Sequence, residues 1–245
     1  MYHGTSRPIL GDGLGYDCEV PPPPAGTCSD GKGYCSSFND CLCSSSSFTR
    51  NLLIHTLPAL RRKLETTNLV ITGVLDGPLP GGLPKMVELY ALNDILDLSV
   101  YGIGSANNGG GTDGQEFALS GSASANTFIT ISYEETEFVK YFGELPTFTS
   151  GKLNINGDDA IELFFNGGIM DTFGDIGVDG TRQDWEYKDG WAYRQEVGSV
   201  PGSSFVICEW TLSGADVVAG CTSNESCGSS LPFKSFAAGA RECMV

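Results

Sequence analysis

An all-β sandwich is the fold class this sequence predicts, and three observations predict it. Glycine is abundant, 33 of 245 residues, which favours short strands and many turns over long helices. Short apolar and β-branched runs recur from Leu69 onward, each bounded by Gly, Asn, Asp or Pro. Ala160–Phe165, the turn Asn166-Gly167-Gly168 and Ile169–Phe173 read as a β-hairpin, because Asn and Gly reach positive φ at little cost.

Residues 1–50 form a Cys-, Pro- and Ser-rich extension. Pro21–Pro24 is a short, semi-rigid polyproline stretch and Ser44–Ser47 is a flexible run. Without crosslinks this region buries too little to fold. Residues 51–67 read as a linker helix: Leu53, Leu57, Leu60 and Leu64 form one apolar stripe. Thr56 is a candidate N-cap, Pro58 fits the first turn, and Arg61-Arg62-Lys63 suits the C-terminal end. The stripe packs on its own domain or docks on a neighbouring chain.

The β region spans 68–236, followed by a tail, 237–245. Leu69–Leu75 is the first strand, closed by Asp76-Gly77-Pro78. Met86–Leu92 alternates, with Val87, Leu89 and Ala91 on one face and Glu88 and Tyr90 on the other. Leu98–Ile103 follows, then a Gly/Asn loop over 105–114. Glu116–Leu119 and Thr127–Tyr133 continue the meander, and Glu134–Phe142 reads as a short helix with Phe138, Tyr141 and Phe142 on one side. Lys152–Ile155, the hairpin strands, Ala192–Tyr193 and Phe205–Trp210 complete roughly nine or ten strands, the count of a sandwich.

Charge and cysteine usage bound the setting. Residues 69–200 carry 20 acidic and 6 basic side chains, most of the net −16 of the chain. So acidic a surface repels phosphate backbones and suits cations, basic partners or a saline medium, or serves solubility alone. No apolar run approaches the roughly 20 residues of a membrane span. Five cysteines precede the β region (Cys18, Cys28, Cys35, Cys41, Cys43) and four lie near its end (Cys208, Cys221, Cys227, Cys243). Clusters outside a self-sufficient core imply disulfide staples and an oxidising, extracellular or cell-surface setting. Nine is odd, which leaves one thiol free, paired to another chain, or matched to a residue removed by processing. Asn224-Glu225-Ser226 is a glycosylation sequon, in keeping with secretion. Met1–Leu14 lacks the basic and apolar regions of a signal peptide, so the expected export requires a processed fragment or another route.

Val87-Glu88-Leu89-Tyr90, Asp97-Leu98-Ser99-Val100-Tyr101, "N-G-D-D-A-I-E-L" over Asn156–Leu163 and "I-M-D-T-F-G" over Ile169–Gly174 together resemble the lamin-tail-domain family. The resemblance is to the versions found in secreted bacterial and algal proteins and covers about two-thirds of the chain, Asn68–Phe236. It implies an immunoglobulin-like β-sandwich. Val100 stands where the family usually has Gly, and the insertions at 105–114 and 176–190 depart from nuclear lamin tails, so contacts specific to nuclear lamins are not carried over.

Three acidic clusters are candidate sites. Asn154, Asn156, Asp158 and Asp159 share a tight turn; Asp171, Asp175 and Asp179 recur every four residues in a Gly-rich loop. Hard oxygens on flexible turns are what calcium takes, although neither has EF-hand spacing. The alternative for Asp158 and Asp159 is that they cap turn amides. Asp184, Glu186 and Asp189 sit among Trp185, Tyr187 and Trp191, where a carboxylate pair beside aromatic rings suggests a glycan platform or glycoside hydrolysis. Trp191 and Tyr193 could equally be core. The two histidines, His3 and His55, fall outside the β region, so no Ser–His or Cys–His pair can be built within it. Cys41-Leu42-Cys43 lacks the CxxC spacing of a zinc site. The sequence thus points to a non-enzymatic extracellular structural or adhesive module that assembles with other protein subunits, by self-association or in the extracellular matrix. The alternatives are a calcium-dependent or carbohydrate-binding module, and a secreted hydrolase.

Overall fold

The computed structural model describes residues 68–196 and 201–237. The extension over 1–50, the linker helix over 51–67, residues 238–245 of the tail and the cysteines at 18, 28, 35, 41, 43 and 243 lie outside the described residues. Among the described residues, ten strands form two sheets, with one α-helix. β1 (Leu69–Leu79), β2 (Leu83–Ala91), β5 (Thr127–Ser132), β6 (Phe148–Thr149), β9 (Gly190–Arg194) and β10 (Trp210–Leu212) make the larger sheet, in the order β10-β9-β1-β2-β5-β6. β3 (Tyr101–Ala106), β4 (Phe117–Ala118), β7 (Ala160–Phe165) and β8 (Gly168–Phe173) make the smaller, in the order β4-β3-β7-β8.

The two central strands of the large sheet are buried on both faces. Leu69, Ile71 and Val74 of β1 and Val87, Leu89 and Ala91 of β2 face the small sheet, where they meet Tyr101, Ile103, Ile161, Leu163 and Phe173. A register shift between Ile71 and Gly73 changes the parity of β1, so Ile71 and Val74, three apart, reach the same core. The opposite face carries Val70, Leu75, Met86 and Tyr90. A third layer covers it: the helix α1 (Thr136–Phe142) and the C-terminal segment, through Phe138, Tyr141, Leu231 and Phe236. The Glu134 carboxylate accepts the Glu137 amide near the start of α1, and Gly143, at φ 77°, ends it by donating to the Val139 carbonyl. Phe142 stacks on Phe233 with ring centroids 4.2 Å apart.

Several sequence-level boundaries shift. Leu98–Val100 is a 3₁₀ turn, with Asp97 accepting the Ser99 amide at 2.9 Å, and the strand begins at Tyr101. Lys152–Ile155 is not a strand: Leu153 and Ile155 are buried alternately, but their backbone runs through a turn and irregular chain. Ile207–Glu209 is likewise a 3₁₀ turn, which moves the last strand to Trp210–Leu212. β6, two residues long, pairs parallel to β5 and carries too little pattern to be read from sequence. Alternating burial reports a face; it does not report whether a neighbouring backbone offers a ladder.

Candidate functional site

The hairpin β7–β8 carries two buried carboxylates on opposite faces. In β8, Asp171 pairs in register with Leu163, on the inner face. Its carboxylate crosses to the large sheet and accepts Arg194 Nη2 at 2.7 and 2.8 Å, the Ile71 amide at 2.9 Å and the Gly202 amide at 3.1 Å. Arg194, from β9, also donates Nε to the Ile71 carbonyl at 2.6 Å and Nη1 to Glu209 at 3.2 Å, and lies 4.5 Å over the Trp210 ring. Burial pushes the Asp171 carboxyl up, and the guanidinium and amides pull it back. The arrangement joins both sheets and leaves no side of Asp171 open to an ion.

Two further buried carboxylates are also held. Glu88, on β2, accepts the Thr72 hydroxyl at 2.7 Å, the Tyr193 hydroxyl at 2.8 Å and the Lys234 amide at 2.7 Å. Tyr193 Oη in turn accepts the amides of Ser235 and Phe236, so one carboxylate anchors the C-terminal segment to the large sheet. Burial pushes Glu88 up despite these donors. Asp76 pairs with Lys85 at 3.0 Å, both nearly buried, and Lys85 donates as well to the Ile155 carbonyl.

The remaining sequence candidates fall into local turns. Asp159 accepts the amides of Asn108 at 2.9 Å and Asn156 at 3.0 Å, and its carbonyl accepts the Tyr187 hydroxyl at 3.0 Å. Asp158 accepts the Thr181 hydroxyl at 2.9 Å through one oxygen, and its other oxygen is buried without a partner. Asp175 and Asp179 are exposed and accept the amides two residues on, at Gly177 and Thr181. The Thr181 amide holds Asp179 below the usual carboxylate range. Asp171, buried against Arg194, is therefore separated in role from Asp175 and Asp179. Among the described residues, no group of three or more His, Cys, Asp or Glu is placed to hold a metal ion.

Trp185, Tyr187 and Trp191 are core side chains rather than an open platform. Trp185 and Tyr187 pack edge-on against Phe173, with centroids 6.1 and 5.3 Å away. Trp191 faces the third layer and donates Nε1 to the Ser229 carbonyl at 2.9 Å. The rings are buried because Gly174 and Gly180 leave room for Trp185: a Cβ on either would lie within 3 Å of its ring. Asp184 stays exposed, and Glu186 accepts the Arg182 amide. Cys221 and Cys227 form a disulfide, and Cys208 is disulfide-bonded too. The Asn224 side chain clips the Leu231 backbone, donating to its carbonyl at 3.0 Å and accepting its amide at 2.9 Å.

Sequence reasoning missed Glu162. It lies on β7 one residue from the core-facing Ile161 and Leu163, so its side chain points to the outer face of the small sheet, where it is fully buried. Neither carboxylate oxygen has a hydrogen-bond partner. Its cross-strand neighbour Thr172 is buried too, and that hydroxyl is also unpartnered. Burial pushes the Glu162 carboxyl up; the nearby Thr112 hydroxyl opposes it, and the weaker charges of Asp113 and Glu116 add to the rise. The signal available in the sequence was a lone acid in an otherwise apolar strand. Comparison with known proteins finds no matching family model, no matching curated protein and no matching solved structure.

Proposed function

We propose that this chain is a non-enzymatic structural or adhesive module of an extracellular assembly, built on an immunoglobulin-like sandwich of the lamin-tail kind. One observation carries the reading. Among the described residues, four of the five buried carboxylates, Asp76, Glu88, Asp159 and Asp171, are bound within the fold, to basic side chains, hydroxyls or backbone amides; Glu162 is the exception. Carboxylates bound in this way hold sheets and segments together and are not free to move protons for a substrate. The surface left for function is acidic and carries Leu96, 91% exposed, and Leu145, 65% exposed. The Cys221–Cys227 disulfide accords with an oxidising compartment.

Sedimentation velocity on the unreduced full chain, over a concentration series, tests the reading. The expected result is a concentration-dependent species larger than a monomer, diminished in Leu96→Ser with the fold intact by circular dichroism. A single monomer at every concentration, together with no binding to extracellular-matrix proteins, overturns it.

A further inference from the structure

Glu162, Gly104 and Thr172 lie side by side across three strands of the small sheet. Gly104 of β3 is opposite Glu162 of β7, which is opposite Thr172 of β8. Directly opposed residues of antiparallel strands project to the same face, so all three belong to the outer face. The loop over 107–116 folds down onto it. A Cβ at Gly104 would sit 2.4 Å from the Gly114 carbonyl oxygen, so only glycine admits that carbonyl beside Glu162. The same loop brings Thr112, Asp113 and Glu116 near enough to act on the Glu162 charge. Glu116 is already engaged, accepting the Ser105 amide at 3.0 Å and hydroxyl at 3.1 Å.

The result is a pocket of carboxylate, hydroxyl and carbonyl oxygens, with the Thr112 hydroxyl near the Glu162 carboxylate. Both Glu162 oxygens and Thr172 Oγ1 are buried and unpartnered. Among the described residues, no basic side chain pairs with Glu162, Asp113 or Glu116. A buried carboxylate with no basic partner is strongly destabilising as the charged form. A proton on Glu162 would remove the charge, and its O–H has acceptors nearby in Thr172 Oγ1 and the Gly114 carbonyl, but it would satisfy only one oxygen of the group. A hard cation answers every group present, because carboxylate, hydroxyl and carbonyl oxygens are its ordinary ligands.

We propose that the outer face of β7–β8, beneath the 107–116 loop, is a calcium site. Glu162 supplies its first charge and Asp113 its second, with the Thr172 and Thr112 hydroxyls and the Gly114 carbonyl as neutral ligands. Calcium fits better than magnesium because the donors are mixed, mostly neutral and partly on a glycine-rich loop, which suits a large and irregular coordination sphere. Two carboxylates place it with weak extracellular sites, whose Kd is about 0.1–1 mM. The site is separate from Asp171, Asp175 and Asp179, and it does not depend on whether the module assembles.

Thermal unfolding and isothermal titration calorimetry of the full chain, stripped with EDTA and then given calcium chloride, test the site. The expected result is a saturable rise in Tm, about 3–5 °C at ten times Kd, with a smaller rise in magnesium. Glu162→Gln keeps the fold, with a Tm in EDTA equal to or above that of the parent, and loses the calcium response. Asp113→Asn, an exposed change, weakens calcium binding about tenfold. Asp175→Asn and Asp179→Asn leave it unchanged. No heat and no shift with calcium overturns the proposal. So does a shift that survives Glu162→Gln. Stabilisation of Glu162→Gln in a chain indifferent to calcium also overturns it, and assigns Glu162 to a proton instead.

Discussion

Asp171 and Glu162 leave the same hairpin in opposite directions, and both lose their water. Asp171 enters the interior and meets a guanidinium and two backbone amides. Glu162 turns outward under a glycine-rich loop and meets oxygens. The difference teaches that burial does not assign a role to a charged side chain; its partners do. A carboxylate whose acceptors are filled is a structural joint, expensive to form and costly to break singly. A carboxylate whose acceptors are empty either carries a proton or waits for a cation.

The sharpest way to break this contrast is at Arg194. Arg194→Met strands Asp171 in the core and is expected to cost about 3–5 kcal/mol, read by urea unfolding. Combining it with Asp171→Leu should recover a large part of that loss. A cost below about 1 kcal/mol in the single variant would show that Asp171 does not need its partner. Glu162→Gln works in the other direction. In chelator at neutral pH it should stabilise the fold by about 1–2 kcal/mol, since it removes an uncompensated charge. A destabilisation of that size would mean that Glu162 has a donor, as Asp171 does.

The pH dependence follows from the sign of the Glu162 shift. Its carboxyl is held above the ordinary value of 4.5, so the folded chain keeps the proton to higher pH than the unfolded chain does. The stability tied to that proton is fully present below 4.5 and is lost as pH rises through the raised folded value. Without calcium, Tm should therefore climb as pH falls from neutrality toward 4.5, and less steeply in Glu162→Gln. Glu88, Asp76 and Asp159, pushed up first by burial, add to the same slope. A Tm that falls throughout that range would reverse the assignment. The smallest effect belongs to Thr172→Val, which removes the unpartnered hydroxyl. It should shift stability in chelator by no more than about 0.5 kcal/mol, measured by urea unfolding, while weakening calcium binding.

The hairpin was legible because Asn166, Gly167 and Gly168 state their backbone needs locally: Asn166 and Gly167 both take positive φ. α1 was legible for the same kind of reason, with an apolar side and Gly143 to end it. The aromatic group was half legible. Trp185 and Tyr187 do share a face, but that face is the core, because Gly174 and Gly180 give the ring space that no local pattern announces. The regular spacing of Asp171, Asp175 and Asp179 suggested one shared site. It joins residues of different fate, since Asp171 ends a ladder across the sandwich and the others close exposed turns.

By itself the sequence determined the all-β class, the hairpin, the short helix and the acidity, because turn chemistry, periodicity and composition are properties of neighbouring residues. Only the tertiary structure decided which acids are satisfied. Arg194 is 23 residues from Asp171, and Ile71 is 100 residues from it. The oxygens around Glu162 come from β8 and from a loop some 50 residues earlier in the chain. The electrostatic role of each carboxylate is set by groups brought within a few ångströms through sheet pairing, and that distance is not written in the local sequence.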